Sequence, residues 1–199
     1  MIGIEGLAAI GKTTLAVHLG HTMTPNFPDG RLFLDMSASA DPLSELLRGI
    51  GVKDLPPSPS ERASLWRTRT TGRRLLVVLD NARPSDDISA LLPGTDGPAL
   101  MITARQRLYD VVHAHWTKLG GLSLADSVAL LSRLLGPERV SHQPAEAREL
   151  AFRTAGLPQV LQAIGARMAA RPAWTMAEAL RRVGRPAPGS PATPRSARR

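Results

Sequence analysis

The sequence predicts an α/β fold with a parallel sheet, followed by a segment made only of helices. Over residues 1–120, short apolar runs alternate with patterns of helical spacing. One of these runs, LLVVL at 75–79, is continuously aliphatic and is bounded by Arg74 and Asp80. Such a run is typical of a strand that is covered on both faces, as in a parallel sheet. From about residue 121 onward the alternation stops and helical patterns alone remain.

The apolar runs and turn signals place each element in order along the chain. Strands are predicted at 1–5, 31–36, 75–79, 99–103 and 115–119. Helices are predicted at 12–23, 41–50, 58–70, 84–92, 124–135, 145–154, 158–170 and 175–183. Asp41 before a proline, and the pairs Ser58 with Glu61 and Ser123 with Asp126, predict helix N-caps.

The two patterns define two domains and a tail. Residues 1–120 form the predicted α/β domain and residues 121–183 the predicted helical subdomain. The last segment, 184–199, has four prolines, four arginines and no acid, so it is predicted to be disordered. A solvated tail is the main interpretation, and a weak contact with nucleic acid or an acidic partner is the alternative.

Composition excludes several classes of protein. The chain of 199 residues is 43% hydrophobic and 21% charged, with a net charge of +8 and no cysteine, which excludes disulfides and thiolate metal sites. Its aliphatic runs are too short to cross a bilayer, and its first residues lack the pattern of a signal peptide. These features predict a soluble cytoplasmic protein.

The strongest motif follows the first predicted strand and opens the first predicted helix. It matches G-x-x-x-x-G-K-[ST] in Gly6, Leu7, Ala8, Ala9, Ile10, Gly11, Lys12 and Thr13. Glycines let backbone N–H groups approach phosphate oxygens, and the helix N-terminus adds further donors. We therefore expect Lys12 to reach the β- and γ-phosphates of a nucleotide, Thr13 to bind Mg²⁺, and Thr14 to hold the α-phosphate.

Two further residues lie where neighbouring strands are predicted to end. Asp80 follows the buried strand LLVVL, at the edge where open α/β sheets bind ligands, so it is predicted to be the second Mg²⁺ partner. Arg105 follows the strand ALMIT. If that strand lies beside the first one, Arg105 faces the γ-phosphate; a surface arginine in a loop is the alternative.

Four segments together resemble the NB-ARC nucleotide-binding module of STAND-type P-loop NTPases. They are GLAAIGKTT, LLVVLDNA, MITAR and AGLPQVL, and the segments FPDGRLFLDM and ARPAWTM are most similar to the branch of bacterial multidomain transcription regulators. The resemblance implies a sheet of strand order 5-1-4-3-2 and a helical lid subdomain. It also implies tight binding of ADP at rest and exchange for ATP.

The resemblance also implies roles for single residues. Arg105 would be the sensor of the γ-phosphate, and Pro158 would pack near the adenine ring. Asn81 stands where many members have a second acid, so it can orient a water molecule but cannot act as a base. The phosphates would be bound by Gly6 to Thr14, and Mg²⁺ by Thr13 and Asp80.

We expect an ADP/ATP-binding signalling switch with slow or negligible hydrolysis. Only five residues precede Gly6 and no winged-helix segment follows, so the chain is expected to be part, or a fragment, of a larger regulator. A protein partner or neighbouring domains, or self-association, would then complete it. The alternative is an interaction or regulatory remnant that keeps the fold and has lost nucleotide switching.

Overall fold

The computed structural model describes residues 1–84, 86–95 and 97–182. The chain forms two compact units, Met1–Gly120 and a second unit that begins at Gly121. The tail at 184–199, for which disorder is predicted, lies outside the described residues. In the described part, no helix is both long enough and apolar enough to cross a membrane.

The first unit contains a sheet of five parallel strands. The strands are β1 (Ile2–Glu5), β2 (Gly30–Asp35), β3 (Leu75–Ala82), β4 (Ala99–Ala104) and β5 (His115–Lys118). Their order is β2-β3-β4-β1-β5, and every pairing is parallel. This is the order 5-1-4-3-2 read from the other edge, so the predicted P-loop NTPase sheet is confirmed.

Helices cover both faces of this sheet because its central strands are apolar on both sides. They are α1 (Lys12–Thr22), α2 (Pro42–Gly49), α3 (Pro59–Thr70) and α4 (Ile88–Leu91), with a short 3₁₀ helix at Thr24–Asn26. Val77 and Leu79 of β3 belong to one buried cluster with residues of α2 and α3. Leu76 and Val78 belong to another, which includes Ala16 of α1. The interpretation of LLVVL as a strand buried on both faces is therefore confirmed.

In the described residues 121–182, the second unit has five helices around its own core. They are α5 (Leu124–Leu135), α6 (Pro137–Ser141), α7 (Pro144–Arg153), α8 (Pro158–Ala169) and α9 (Met176–Arg182). The core includes Leu131, Leu150, Leu161 and Met168, none of which is exposed. Helix α6 was not predicted, because five residues are too few to show a helical period.

The predicted caps and bounds are confirmed in part. The Asp41 side chain accepts a hydrogen bond from Ser44 N at the start of α2, and Ser123 Oγ accepts one from Asp126 N at the start of α5. The capping box at Ser58 is wrong, because its hydroxyl pairs with that of Ser60 instead. The helix predicted at 84–92 is reduced to α4, and β3 extends beyond the aliphatic run to Ala82.

Candidate functional site

The loop between β1 and α1 has the backbone that the glycine motif predicts. Gly11 has a φ of 98° and Ala9 a φ of 67°, so the chain passes twice through the left-handed region before α1 begins. Gly6 is required for a different reason: a Cβ there would lie 2.7 Å from the carbonyl oxygen of Leu119. The loop therefore lies against the end of the sheet, at the N-terminus of α1.

Lys12, the first residue of α1, turns its side chain back over this loop. Its Nζ donates to the carbonyl oxygens of Gly6 and Leu7, each at 2.9 Å, and the residue is only 7% exposed. Burial lowers the pKa of Lys12, Asp80 raises it, and the positive charge of Arg105 lowers it again. A buried ammonium with neutral carbonyl partners is a group that an anion would stabilise.

Asp80 lies at the carboxyl end of β3 and is held by two threonines. Thr13 Oγ1 donates to its carboxylate, with 3.0 and 2.8 Å to Oδ1 and Oδ2, and Thr103 Oγ1 of β4 donates to Oδ1 at 2.5 Å. Asp80 is 2% exposed and Thr103 is fully buried. Val78 and Met101 pack in the cluster of α1, so the strand period places Asp80 and Thr103 on the same face.

Asn81 points in another direction because β3 is irregular at this point. The register between β3 and β4 shifts between Leu79 and Ala82, and Asn81 has a φ of 58°, which asparagine adopts more readily than most residues. Its backbone N–H donates to Thr103 Oγ1 at 3.1 Å. Its side-chain Nδ2 donates to Asp35 Oδ1 at 3.1 Å, across to the end of β2.

Asp35 is thus a second carboxylate at this edge of the sheet, paired in register with Asp80. Ser37 donates to Asp35 Oδ1 through both its backbone N–H, at 2.9 Å, and its hydroxyl, at 2.6 Å. Hydrogen bonds from Ser37 and Asn81 are the main causes that hold the pKa of Asp35 below its usual value. Asp35 is therefore a carboxylate acceptor at neutral pH.

Arg105 follows β4, which pairs with β1, as the sequence argument required. Its side chain is exposed and borders a cavity of about 530 Å³ at the same edge of the sheet. The cavity is lined by Ser37, Asn81, Ala82, Arg83, Pro84, Arg105 and Gln106. A second cavity, of about 360 Å³, is lined by none of the predicted site residues.

The structure brings most of the predicted site residues to one edge of the sheet. The phosphate loop and Arg105 follow the carboxyl ends of β1 and β4, and Asp80 and Asn81 lie near the carboxyl end of β3. Pro158 opens α8 in the second unit, and its contact with adenine stays a prediction. Sequence reasoning missed Asp35 and Thr103. The signal for Asp35 was available, since RLFLD ends in an acid as LLVVLD does.

The side-chain oxygens of Thr13 and Asp80 fit a hard divalent cation. Thr13 and Asp80 offer a hydroxyl and a carboxylate, which are the ligands that Mg²⁺ prefers, beside a loop suited to phosphate. Lys12 adds the buried positive charge. The residues present therefore fit a nucleotide phosphate with Mg²⁺.

Comparison with known proteins agrees with this geometry. No family model matches the chain. The regulatory protein AfsR of Streptomyces coelicolor is 39% identical over 182 residues, and AfsR of Streptomyces griseus is 37% identical over 182 residues. Both alignments cover 87% of this chain but only 18% and 19% of the relatives, so the chain spans about a fifth of their length.

More distant matches include one further sequence and two solved structures, and the structures share the fold. A protein of Arabidopsis thaliana whose name refers to disease resistance is 27% identical over 192 residues, covering 94% of this chain and 30% of that protein. A STAND protein of Pyrococcus horikoshii with a tetratricopeptide repeat sensor has a TM-score of 0.50 and 22% identity, over 80% of this chain and 26% of that one. Thermotoga maritima RuvB has a TM-score of 0.53 and 13% identity, over 92% and 60%.

The fold is that of the P-loop NTPases. The homologues of the chain are AfsR regulators, which agrees with the resemblance to the bacterial regulator branch, and a STAND protein shares its fold.

Proposed function

We propose that this module binds ADP and ATP with Mg²⁺ at the phosphate loop and acts as the nucleotide switch of a cytoplasmic regulator. The observation that carries the proposal is Lys12. Its ammonium is buried at the N-terminus of α1. Among the described residues, its hydrogen bonds go only to the carbonyl oxygens of its own loop. A β- or γ-phosphate would replace those neutral acceptors with charged ones.

The metal partners support the same proposal. Thr13 and Asp80 would hold Mg²⁺, and the ion, when bound, neutralises charge on the phosphate oxygens. Thr103 keeps the Asp80 carboxylate in place, since it is fully buried and donates to it at 2.5 Å. Arg105 would read the γ-phosphate, because it follows the strand next to β1 and its charge acts on Lys12.

Hydrolysis is proposed to be slow. Asn81 occupies the position beside Asp80 from which a carboxylate could take a proton from water, and an amide cannot do so at neutral pH. Slow turnover suits a switch, because each nucleotide state then persists long enough to be recognised. The partner that recognises it would be a protein or the neighbouring domains that the longer AfsR relatives carry beyond the matched segment.

The binding site is tested by calorimetry on the variant Lys12→Ala. Loss of one charge-assisted contact of about 1.5–3 kcal/mol should weaken binding of ADP and ATP by at least about tenfold. Lys53→Ala is the matched control, since Lys53 is an exposed lysine outside the site. This variant should bind ADP and ATP with the affinity of the wild type. Equal affinity in all three proteins would contradict the site, and absence of binding to the wild type would favour an interaction module without a nucleotide.

A further inference from the structure

We propose that Asp35 is a positioning residue for ATP hydrolysis: it holds the amide of Asn81 so that the carbonyl oxygen of Asn81 accepts a hydrogen bond from the attacking water. The inference rests on the proposed function and names a residue that the phosphate-loop motif does not contain. It begins from the contact of Asn81 Nδ2 with Asp35 Oδ1 at 3.1 Å, which joins the ends of β3 and β2.

The contact determines which way the Asn81 amide points. An ionised carboxylate only accepts hydrogen bonds, so the NH₂ group of Asn81 must face Asp35 and its Oδ1 must face away. In the part of the chain that the structure describes, the side-chain hydrogen bond of Asn81 is made by Nδ2 and none is accepted by Oδ1, and Asn81 borders the cavity that Arg105 also lines. Without Asp35, the amide is free to turn its donor toward the cavity, where a water molecule needs an acceptor.

Three features keep Asp35 suited to this role rather than to that of a base. Both donors of Ser37 and the amide of Asn81 converge on Oδ1, which fixes the carboxylate. The lowered pKa of Asp35 keeps it ionised and makes it a weak proton acceptor. The backbone of Asn81 is fixed as well, by its left-handed φ of 58° and by its N–H bond to buried Thr103.

The chemical step itself needs no proton transfer to either residue. The water oxygen attacks the γ-phosphorus, the bond from that phosphorus to the β–γ bridging oxygen breaks, and ADP leaves with the electron pair. Both water protons depart on the phosphate product, from which one dissociates to solvent. Asn81 orients the water for this attack, and Asp35 orients Asn81.

The test measures the rate of single-turnover ATP hydrolysis with protein in excess, together with the ADP affinity. Asp35→Ala should slow hydrolysis by about fivefold or more and leave the ADP affinity within about twofold of the wild type, since one oriented hydrogen bond is lost. In the Asn81→Ala background the same substitution should have no further effect, because Asp35 acts only through Asn81. Thermal melts confirm that each variant is folded.

Two variants serve as matched controls. Asp35→Asn keeps an oxygen that accepts from Ser37 and Asn81, so it should recover most of the rate lost in Asp35→Ala. Ser39→Ala removes a nearby hydroxyl that donates to Glu45 and not to Asp35, so its rate should stay within about twofold of the wild type.

Binding of ADP with aluminium fluoride, a mimic of the attacked phosphate, gives a readout that does not depend on turnover. Asp35→Ala should weaken it about fivefold or more relative to ADP alone. Three results would each overturn the role of Asp35. The first is a hydrolysis rate and an ADP affinity that fall in parallel in Asp35→Ala, and the second is no change in the rate or in binding of the fluoride complex. The third is a further loss of rate when Asp35→Ala is added to Asn81→Ala. A wild type that fails to bind ADP would instead overturn the proposed function, and with it this role.

Discussion

Thr103 shows how one buried hydroxyl supports the site at the scale of single residues. It donates to Asp80 Oδ1 and accepts from the backbone N–H of Asn81, so it joins Asp80, the proposed metal ligand, to the backbone of the next residue. The threonine is fully buried in β4, and Asp80 is 2% exposed. A buried carboxylate without donors is costly, so Thr103 and Thr13 are what make Asp80 tolerable there.

Replacing Thr103 with valine should therefore destabilise the fold. The two side chains have the same shape, but valine removes one of the two threonine donors to Asp80 and leaves the Asn81 N–H without its partner. This should cost about 1–3 kcal/mol in the free energy of unfolding. Urea unfolding measures this cost, and Thr103→Ser, which keeps the hydroxyl, is the control. A change below about 0.5 kcal/mol in Thr103→Val would mean that water replaces the hydroxyl.

At the scale of an element, helix α2 begins at the N-cap that its local sequence predicts. Asp41 caps the helix by accepting from Ser44 N at 3.1 Å, and it also pairs with Arg62 of α3. Hydrogen bonding by Ser44 is the largest cause that lowers the pKa of Asp41, with Arg62 contributing after it. The cap thus begins α2 and ties it to α3 on one face of the sheet.

Asp41→Ala should cost about 0.5–2 kcal/mol of stability at neutral pH, the usual range for a lost N-cap. Because the folded pKa of Asp41 is lowered, its contribution is fully present above the unfolded pKa of about 3.9 and is lost as pH falls through the folded pKa. Urea unfolding at pH 7 and at about pH 3 measures both values. Asp54→Ala is the control, because Asp54 is an exposed acid outside α2. If Asp41→Ala lowers the free energy of unfolding by the same amount at both pH values, the N-cap is contradicted.

The sequence gives much of this fold because several of its signals are local. Alternating patterns, the phosphate-loop glycines and the caps at Asp41 and Ser123 each depend on residues within a few positions of one another. The strand order came from the resemblance and not from the residues. Asp35 and Thr103 were missed because their contacts join strands that are distant in sequence: Asn81 meets Asp35 across 46 positions and Thr103 across 22. The capping box predicted at Ser58 does not form, because the Ser58 hydroxyl pairs with the hydroxyl of Ser60.

At the scale of the whole molecule, the chain corresponds to about a fifth of the AfsR relatives it matches. In the proposed function, the chain would act by changing state with its nucleotide rather than by fast turnover. Its second unit has a core of its own. Arg139 donates to the carbonyl oxygens of Met168, in that core, and of Trp174, which packs against it, at 3.2 and 2.5 Å.

Steady-state ATP hydrolysis by the full chain should lie below about 1 s⁻¹, under the range of about 1–100 s⁻¹ usual for kinases. The reason is that Asn81, in its proposed role, would orient water, and an amide accepts no proton at neutral pH. Release of inorganic phosphate measures the rate, and Lys12→Ala, purified in parallel, gives the contribution of contaminating enzymes. A wild-type rate well above this bound, absent from Lys12→Ala, would exclude a slow switch.

A crystal structure of the chain with Mg²⁺ and ADP tests the proposed site most directly. The β-phosphate should lie within the loop of Gly6 to Lys12, with Lys12 Nζ moved from the Gly6 and Leu7 carbonyl oxygens onto a phosphate oxygen. Mg²⁺ should lie between the Thr13 hydroxyl and the Asp80 carboxylate. ADP bound elsewhere, with Lys12 still on its two carbonyl oxygens and Thr13 still on Asp80, would contradict nucleotide binding at the phosphate loop.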